Sequence, residues 1–356
     1  LFRSRNLVAS FTLRMTPEYA VNAFDTPIGC RFPTPEHREF LVNYVTQVLT
    51  PAERDAPYTR MTELVSKVID DTYARFADEG ARATPKQYSR GVEPKVDALL
   101  EANGYDFGFN GTGAVWFQIA DYLFQLGAIH EATLAHRHAM PILPDCAQLS
   151  SQVVDLYSEV RVESGESLTV AFQSLLQSAM RDYPIMAAPT RFDIGDIRIG
   201  AINLAEVAKG GSASGVKQLK VMYLLGTYLL TKGFWLDQET IRKMRAPAAY
   251  IDHHLARARE NREEIKWLAF DEFHRTRIPS EKVNNVHSAV EMLIREGRKF
   301  GIGVIISSQD AEDLPESMRK LMTGVFIVDS SNPRNAKLLQ DYYGFSDTCL
   351  ESFSRG

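Results

Sequence analysis

The chain has 356 residues, 45% hydrophobic and 24% charged, which is ordinary for a globular protein and long enough to bury a sizeable core. A formal net charge of -5 and a sequence pI near 6.0 exclude the global basic field that advertises nucleic-acid binding. Three scattered cysteines (Cys30, Cys146, Cys349) exclude a disulfide scaffold or a Cys-x-x-Cys knuckle and fit a reducing compartment.

The longest apolar runs, Val221 to Leu230 and Val304 to Ile306, fall well short of the ~20 residues needed to cross a bilayer. The chain opens Leu1-Phe2-Arg3-Ser4 without an initiator Met or a signal-peptide pattern, and it is expected to be a piece of a longer protein.

Residues 7–15 alternate roughly, as a strand does, and lead into the loop Asn22 to Gly29. Thr34-Pro35 opens a helix, with Thr as N-cap and Pro at the first helical position. Thr50-Pro51-Ala52-Glu53 repeats that signal as a capping box. Apolar residues from Met61 to Tyr73 mark another helix. Further helices are predicted at 92–102, 114–126, 132–137, 146–157 and 167–181, and few strands are convincing in that interval.

After Pro189 the pattern alternates. A strand at 197–204 precedes the Gly-Ser-rich loop Lys209 to Gly215 and a helix at 217–230, and 235–263 reads as one charged helix. Then come a strand at 265–270, a helix at 283–300, a strand at 302–307, a short helix at 314–322, a strand at 325–328 and a helix opened by Asn332-Pro333. Short apolar strands alternating with helices predict a mostly parallel α/β sheet covered on both faces. The expected organisation is an α/β core over 1–34 and 183–356, interrupted by an all-helical insertion over 35–182.

Ligands in open α/β sheets bind beyond the carboxyl ends of the strands. The strand Lys266 to Phe270 runs there into Asp271-Glu272. Asp271 suits Mg²⁺ carried by a nucleotide and Glu272 suits orientation or deprotonation of water; a solvated acidic turn is the plainer alternative. The next strand ends in Ser307-Ser308-Gln309, and Gln309 would reach a γ-phosphate or the attacking water, or else merely cap the helix that follows. Arg295 and Arg298 lie one turn apart near the end of the intervening helix. They complement its dipole, or one of them, Arg298 ahead of Arg295, is an arginine finger for a neighbour's nucleotide. Arg334 is a weaker candidate.

Lys209 to Lys217 imitates a phosphate-binding loop without being one. Gly210 and Gly215 have the right spacing, but Val216 stands where the lysine belongs and Lys217 where the hydroxyl belongs. A lysine displaced by one helical position is rotated ~100° from the phosphates, so this stretch reads as a connector. No other segment carries the Walker A pattern. His136 and His138, like His253 and His254, lack metal-ligand spacing.

Asn22-Ala23-Phe24-Asp25-Thr26-Pro27-Ile28-Gly29-Cys30-Arg31 resembles the NPFDT-x-x-G-x-R segment of conjugative-transfer and type IV secretion ATPases, in the TraU/IcmB (DotO) branch. Similar matches are Pro35 to Asn43, Ile69 to Tyr73 and His138-Ala139-Met140-Pro141. Asp271-Glu272, Arg295 to Gly301 and Ser308-Gln309 resemble the wider RecA-like group. Ala23 departs from the family's usual Pro.

The resemblance implies a RecA-like P-loop NTPase core using ATP and Mg²⁺, with Asp271 on the metal, Glu272 as base, Gln309 as phosphate sensor and Arg298 as trans finger. It implies a homo-hexamer at the cytoplasmic face of the bacterial inner membrane, contacting other channel subunits and a transported protein or DNA. The Walker A loop of such proteins lies upstream of the NPFDT-like segment, so these residues alone are expected to be inactive. The alternatives are a non-catalytic α/β interaction module of the same descent and a DNA-pumping motor.

Overall fold

The computed structural model describes residues 8–354, apart from 55, 108–112, 193–196, 208–211, 277–284 and 329–332. The described elements run in order β1 (Val8–Thr12), α1 (Pro35–Leu49), α2 (Met61–Phe76), α3 (Pro94–Ala102), α4 (Trp116–Gln125), α5 (Ile129–Ala139), α6 (Leu143–Tyr157) and α7 (Leu168–Asp182). They continue with β2 (Ile199–Asn203), α8 (Ala213–Thr231), α9 (Gln238–Lys243), α10 (Ala248–Glu263), β3 (Lys266–Phe270), α11 (Asn285–Glu296) and β4 (Ile302–Ile306). The last are α12 (Glu316–Arg319), α13 (Pro333–Tyr343) and α14 (Asp347–Ser354).

The chain divides into two compact units, residues 1–229 with 236–259 and residues 230–235 with 260–356. These divisions differ from the expected boundaries at 34/35 and 182/183.

In the first unit, β1 and β2 pair in parallel with Val8 opposite Ile199, so the whole helical stretch α1–α7 lies between two adjacent strands. Local chemistry sets its helix starts. Thr34 accepts a hydrogen bond from the His37 N–H ahead of Pro35, and Ser167 does the same for Val170. Leu41, Tyr44, Val45, Leu64, Val68, Phe117, Ile119 and Phe172 meet in one core.

In the second unit, β3 and β4 pair in parallel with Lys266 opposite Ile302, and α11 connects them as a βαβ crossover. Leu268, Phe270, Phe273, Val290 and Leu293 form its core.

Several expectations are corrected. The strands are parallel, but among the described residues they form two separate two-stranded sheets rather than one continuous sheet. Residues 325–328 form no strand, because no described strand bonds to them; Phe326 and Val328 stand 95% and 98% exposed. Thr50 closes α1, its hydroxyl donating to the Thr46 carbonyl, and the next helix starts only at Met61. The predicted helix over 235–263 is two helices. Asp237 caps α9, and Pro247 forces the chain out of helical geometry before α10. Val283 and Asn332, expected at helix starts, lie outside the described residues.

Candidate active site

The second unit presents Asp271 and Glu272 by a specific distortion of its sheet. The ladder continues past the ends of β3 and β4 through Ser307, whose N–H donates to the Phe270 carbonyl at 2.8 Å. The Phe273 N–H donates to the carbonyl of the same Ser307 at 3.0 Å. Two residues, Asp271 and Glu272, are therefore looped out opposite one, in the manner of a bulge. Phe273 is fully buried and packs edge-on against Phe270. With Phe270 and Phe273 both anchored, Glu272 takes up the geometric difference at φ +53, a left-handed conformation that costs a non-glycine residue on the order of 1–3 kcal/mol.

The looped-out carboxylate meets the end of the neighbouring strand. Gln309 Nε2 donates to Glu272 Oε1 at 3.1 Å and to Oε2 at 3.2 Å. His274 Nε2 lies 3.4 Å from Glu272 Oε2, while its Nδ1 is buried without a hydrogen-bond partner among the described residues. Gln309 is held in turn by the turn that follows it. Ser308 Oγ donates to Asp313 Oδ2 at 2.6 Å, the Asp310 N–H donates to the same oxygen, and Asp310 accepts from the Glu312 N–H. Asp271 remains exposed, its Oδ1 accepting from the Glu272 N–H at 3.0 Å.

Of the residues expected to act together, the structure joins Glu272 and Gln309 directly and sets Asp271 beside Glu272. It does not bring Arg298 to them. Arg298 lies in the turn Gly297–Phe300, whose end at Gly301 bonds to Arg298 O and Lys266 N at the amino ends of β3 and β4. Five-residue strands separate that end from Gln309 by roughly 13 Å or more. The Arg298 side chain is exposed, whereas Arg295 is engaged with Glu291 at 2.8 Å on its own helix. Arg334 approaches Glu312 at 3.8 Å.

The glycine-rich loop divides across the described boundary. Lys209, Gly210 and Gly211 lie outside the described residues, and Ser212 caps α8 by accepting from the Gly215 N–H. Lys217 on that helix is half-buried, and desolvation lowers its pKa.

Mg²⁺ arriving with a nucleotide needs only one or two protein carboxylates, and the exposed Asp271 beside Glu272 fits that demand. A metal held by protein ligands alone is another matter. Among the described residues no group of three or more His, Cys, Asp and Glu side chains is placed to hold one.

The segment 22–31 does something the motif reading missed. It is buried in the first unit and held by the other matching segments. His37 Nε2 lies 2.8 Å from the Ala23 carbonyl, Tyr73 Oη donates to the Phe24 carbonyl at 2.6 Å, and Asn22 Nδ2 donates to the Pro141 carbonyl at 2.8 Å. Arg31 forms two-pronged ion pairs with Asp78 and Asp121, and its guanidinium lies over the Phe117 ring. Gly29, at φ +81, lets the Tyr250 ring lie against the backbone, where a Cβ would sit 2.5 Å from the Tyr250 Cγ. Thr26 Oγ1 lies 3.1 Å from Nε2 of the buried His136, whose pKa falls to about 3 chiefly through desolvation. Four motifs far apart in sequence therefore form one packed cluster. Their shared function as mutual anchors leaves no periodicity to read.

Among solved structures, VirB4 of Thermoanaerobacter pseudethanolicus matches with a TM-score of 0.51 and 11% identity over 97% of this chain and 70% of that chain. The likeness is one of fold. No protein-family model and no curated protein sequence matches the chain.

Proposed function

We propose that this chain carries the hydrolytic part of an ATPase that energises a type IV secretion or conjugation apparatus, in a RecA-like arrangement. The observation that carries the proposal is the Glu272–Gln309 hydrogen bond at the carboxyl ends of two adjacent parallel strands, where α/β sheets hold their ligands. The fold likeness to VirB4, a type IV secretion ATPase, supports the same reading.

MgATP supplies the phosphoryl group when bound, with Asp271 on the metal side. Glu272 Oε accepts the proton of the attacking water as general base. Gln309, already donating to that carboxylate, fixes its orientation and offers its amide to a γ-phosphate oxygen. Arg298, at the opposite end of the strands, is proposed as a trans finger that would reach a neighbouring subunit's nucleotide in a homo-hexamer. The reading needs a phosphate cradle that these 356 residues do not carry in sequence.

The apparatus would place the protein at the cytoplasmic face of the inner membrane, against other channel subunits and a protein or DNA cargo. Among the described residues no helix is long and apolar enough to cross a membrane. The test is phosphate release from MgATP by the full-length protein. Glu272→Gln should lower turnover by about 10²–10⁴, the range of a lost general base. Full activity in that variant removes Glu272 from the mechanism.

A further inference from the structure

Gln309 has two tasks in the hydrolytic site and a single amide NH₂ group for both. Its Nε2 donates to Glu272 Oε1 at 3.1 Å and to Oε2 at 3.2 Å, so both amide hydrogens are directed at the carboxylate. Turning that group toward a γ-phosphate oxygen draws at least one hydrogen away from Glu272. The carboxylate then needs a second donor to stay aimed at the water. Its own backbone makes the need acute, because Glu272 sits at φ +53, looped out between the anchored Phe270 and Phe273.

His274 is placed to be that donor. It lies in the 3₁₀ turn Phe273–Thr276, directly after the fully buried Phe273, and its backbone is fixed by that neighbour. Its Nε2 lies 3.4 Å from Glu272 Oε2. That is longer than a formed N–H···O bond, and hydrogen bonds around a general base commonly tighten only when substrate arrives.

The other ring nitrogen fixes the tautomer. Nδ1 is buried without a hydrogen-bond partner among the described residues. A hydrogen there would be a buried donor with nothing described to receive it, whereas a hydrogen on Nε2 faces a carboxylate oxygen. The geometry points to the neutral imidazole with its hydrogen on Nε2, directed at the base.

We propose that His274 is a positioning residue for Glu272. Its Nε2–H holds Oε2 while Gln309 turns to the γ-phosphate, and so keeps the carboxylate on the attacking water. The inference rests on the hydrolytic reading of Glu272 and Gln309. His274 relays no proton; the proton of the water goes to Glu272.

Three variants of the full-length protein separate a positioning donor from a packing contact. The amide nitrogen of glutamine reaches about as far as imidazole Nε2, and that of asparagine only about as far as Nδ1. His274→Ala and His274→Asn should lower kcat for MgATP on the order of ten- to a hundredfold with KM unchanged, and His274→Gln should recover most of the loss. In a Glu272→Gln background His274→Ala should cost nothing further, because the carboxylate it serves is gone. NMR of nitrogen-labelled histidine in the nucleotide-free protein should show His274 protonated on Nε2 and not on Nδ1, with a signal that shifts in Glu272→Gln. That readout involves no turnover.

Full turnover by Glu272→Gln removes the base, and the role of His274 with it. An impaired Glu272→Gln beside a fully active His274→Ala overturns the role of His274 alone. A loss in His274→Gln as deep as in His274→Ala does the same, as does a raised KM with kcat unchanged, or an imidazole protonated on Nδ1.

Discussion

The segment 22–31 and the Asp271–Gln309 site are both short polar stretches at the edge of secondary structure, yet they are built in opposite ways. The first is buried and over-determined. Asn22, Asp25, Thr26 and Arg31 all have partners, supplied by residues as distant as Pro141 and Thr190, and Gly29 packs against Tyr250. The second lies nearer the surface, with Asp271 and Gln309 exposed, Gln309 and His274 beside the Glu272 carboxylate, and a backbone strained at a single residue. A polar motif bound on every side is a structural joint. A polar motif left open, at the cost of strain, is where a ligand has room to act.

That contrast is most sharply broken or kept by substitution in the buried segment. Arg31→Ala leaves two partly buried carboxylates facing one another and should cost about 3–5 kcal/mol, read by chemical denaturation. Survival of the variant at wild-type stability would mean the ion pairs do not hold the joint. Gly29→Ala combines a left-handed φ with a clash on the Tyr250 ring and should cost about 2–4 kcal/mol. Pairing it with Tyr250→Leu should recover part of the loss, because the ring is the obstacle.

Acid is the next lever. His136 is neutral in the folded state down to about pH 3, whereas the unfolded residue protonates near 6.5. The unfolded state then binds the extra proton, so this group costs nothing above pH 6.5. Below that it erodes stability by ~1.4 kcal/mol per pH unit until the folded pKa is reached. At pH 5 the loss should be about 2 kcal/mol. NMR titration of His136 decides the point, and an imidazole that titrates near 6.5 in the folded protein contradicts it. The smallest effect belongs to the open site, where Gln309→Ala removes one exposed hydrogen bond and should change stability by less than about 0.5 kcal/mol.

The two regions also differ in how far the sequence announces them. The strand Lys266 to Phe270 ending in two carboxylates, and Gln309 at the end of the next strand, are legible because period and position along the chain suffice. The helices between Pro35 and Asp182 are legible for the same reason, down to the cap at Thr34, although Thr50 closes α1 instead of opening a helix. What the sequence hides is long-range. Nothing local says that Tyr73 donates to Phe24, that Asp121 shares Arg31 and Tyr250, or that Phe273 pins Glu272 in a left-handed turn. The apolar run 325–328 misleads in the other direction: it has strand composition but no described partner strand, and hydrophobicity without a ladder makes no sheet.

The most direct test pairs two readouts on one variant, Glu272→Gln in the full-length protein, measuring the melting temperature and the rate of MgATP hydrolysis. If the open site performs chemistry while the buried joint holds the fold, the melting curve stays within about 2 °C of wild type and turnover falls at least about 100-fold. Turnover at the wild-type rate from this variant would contradict the account.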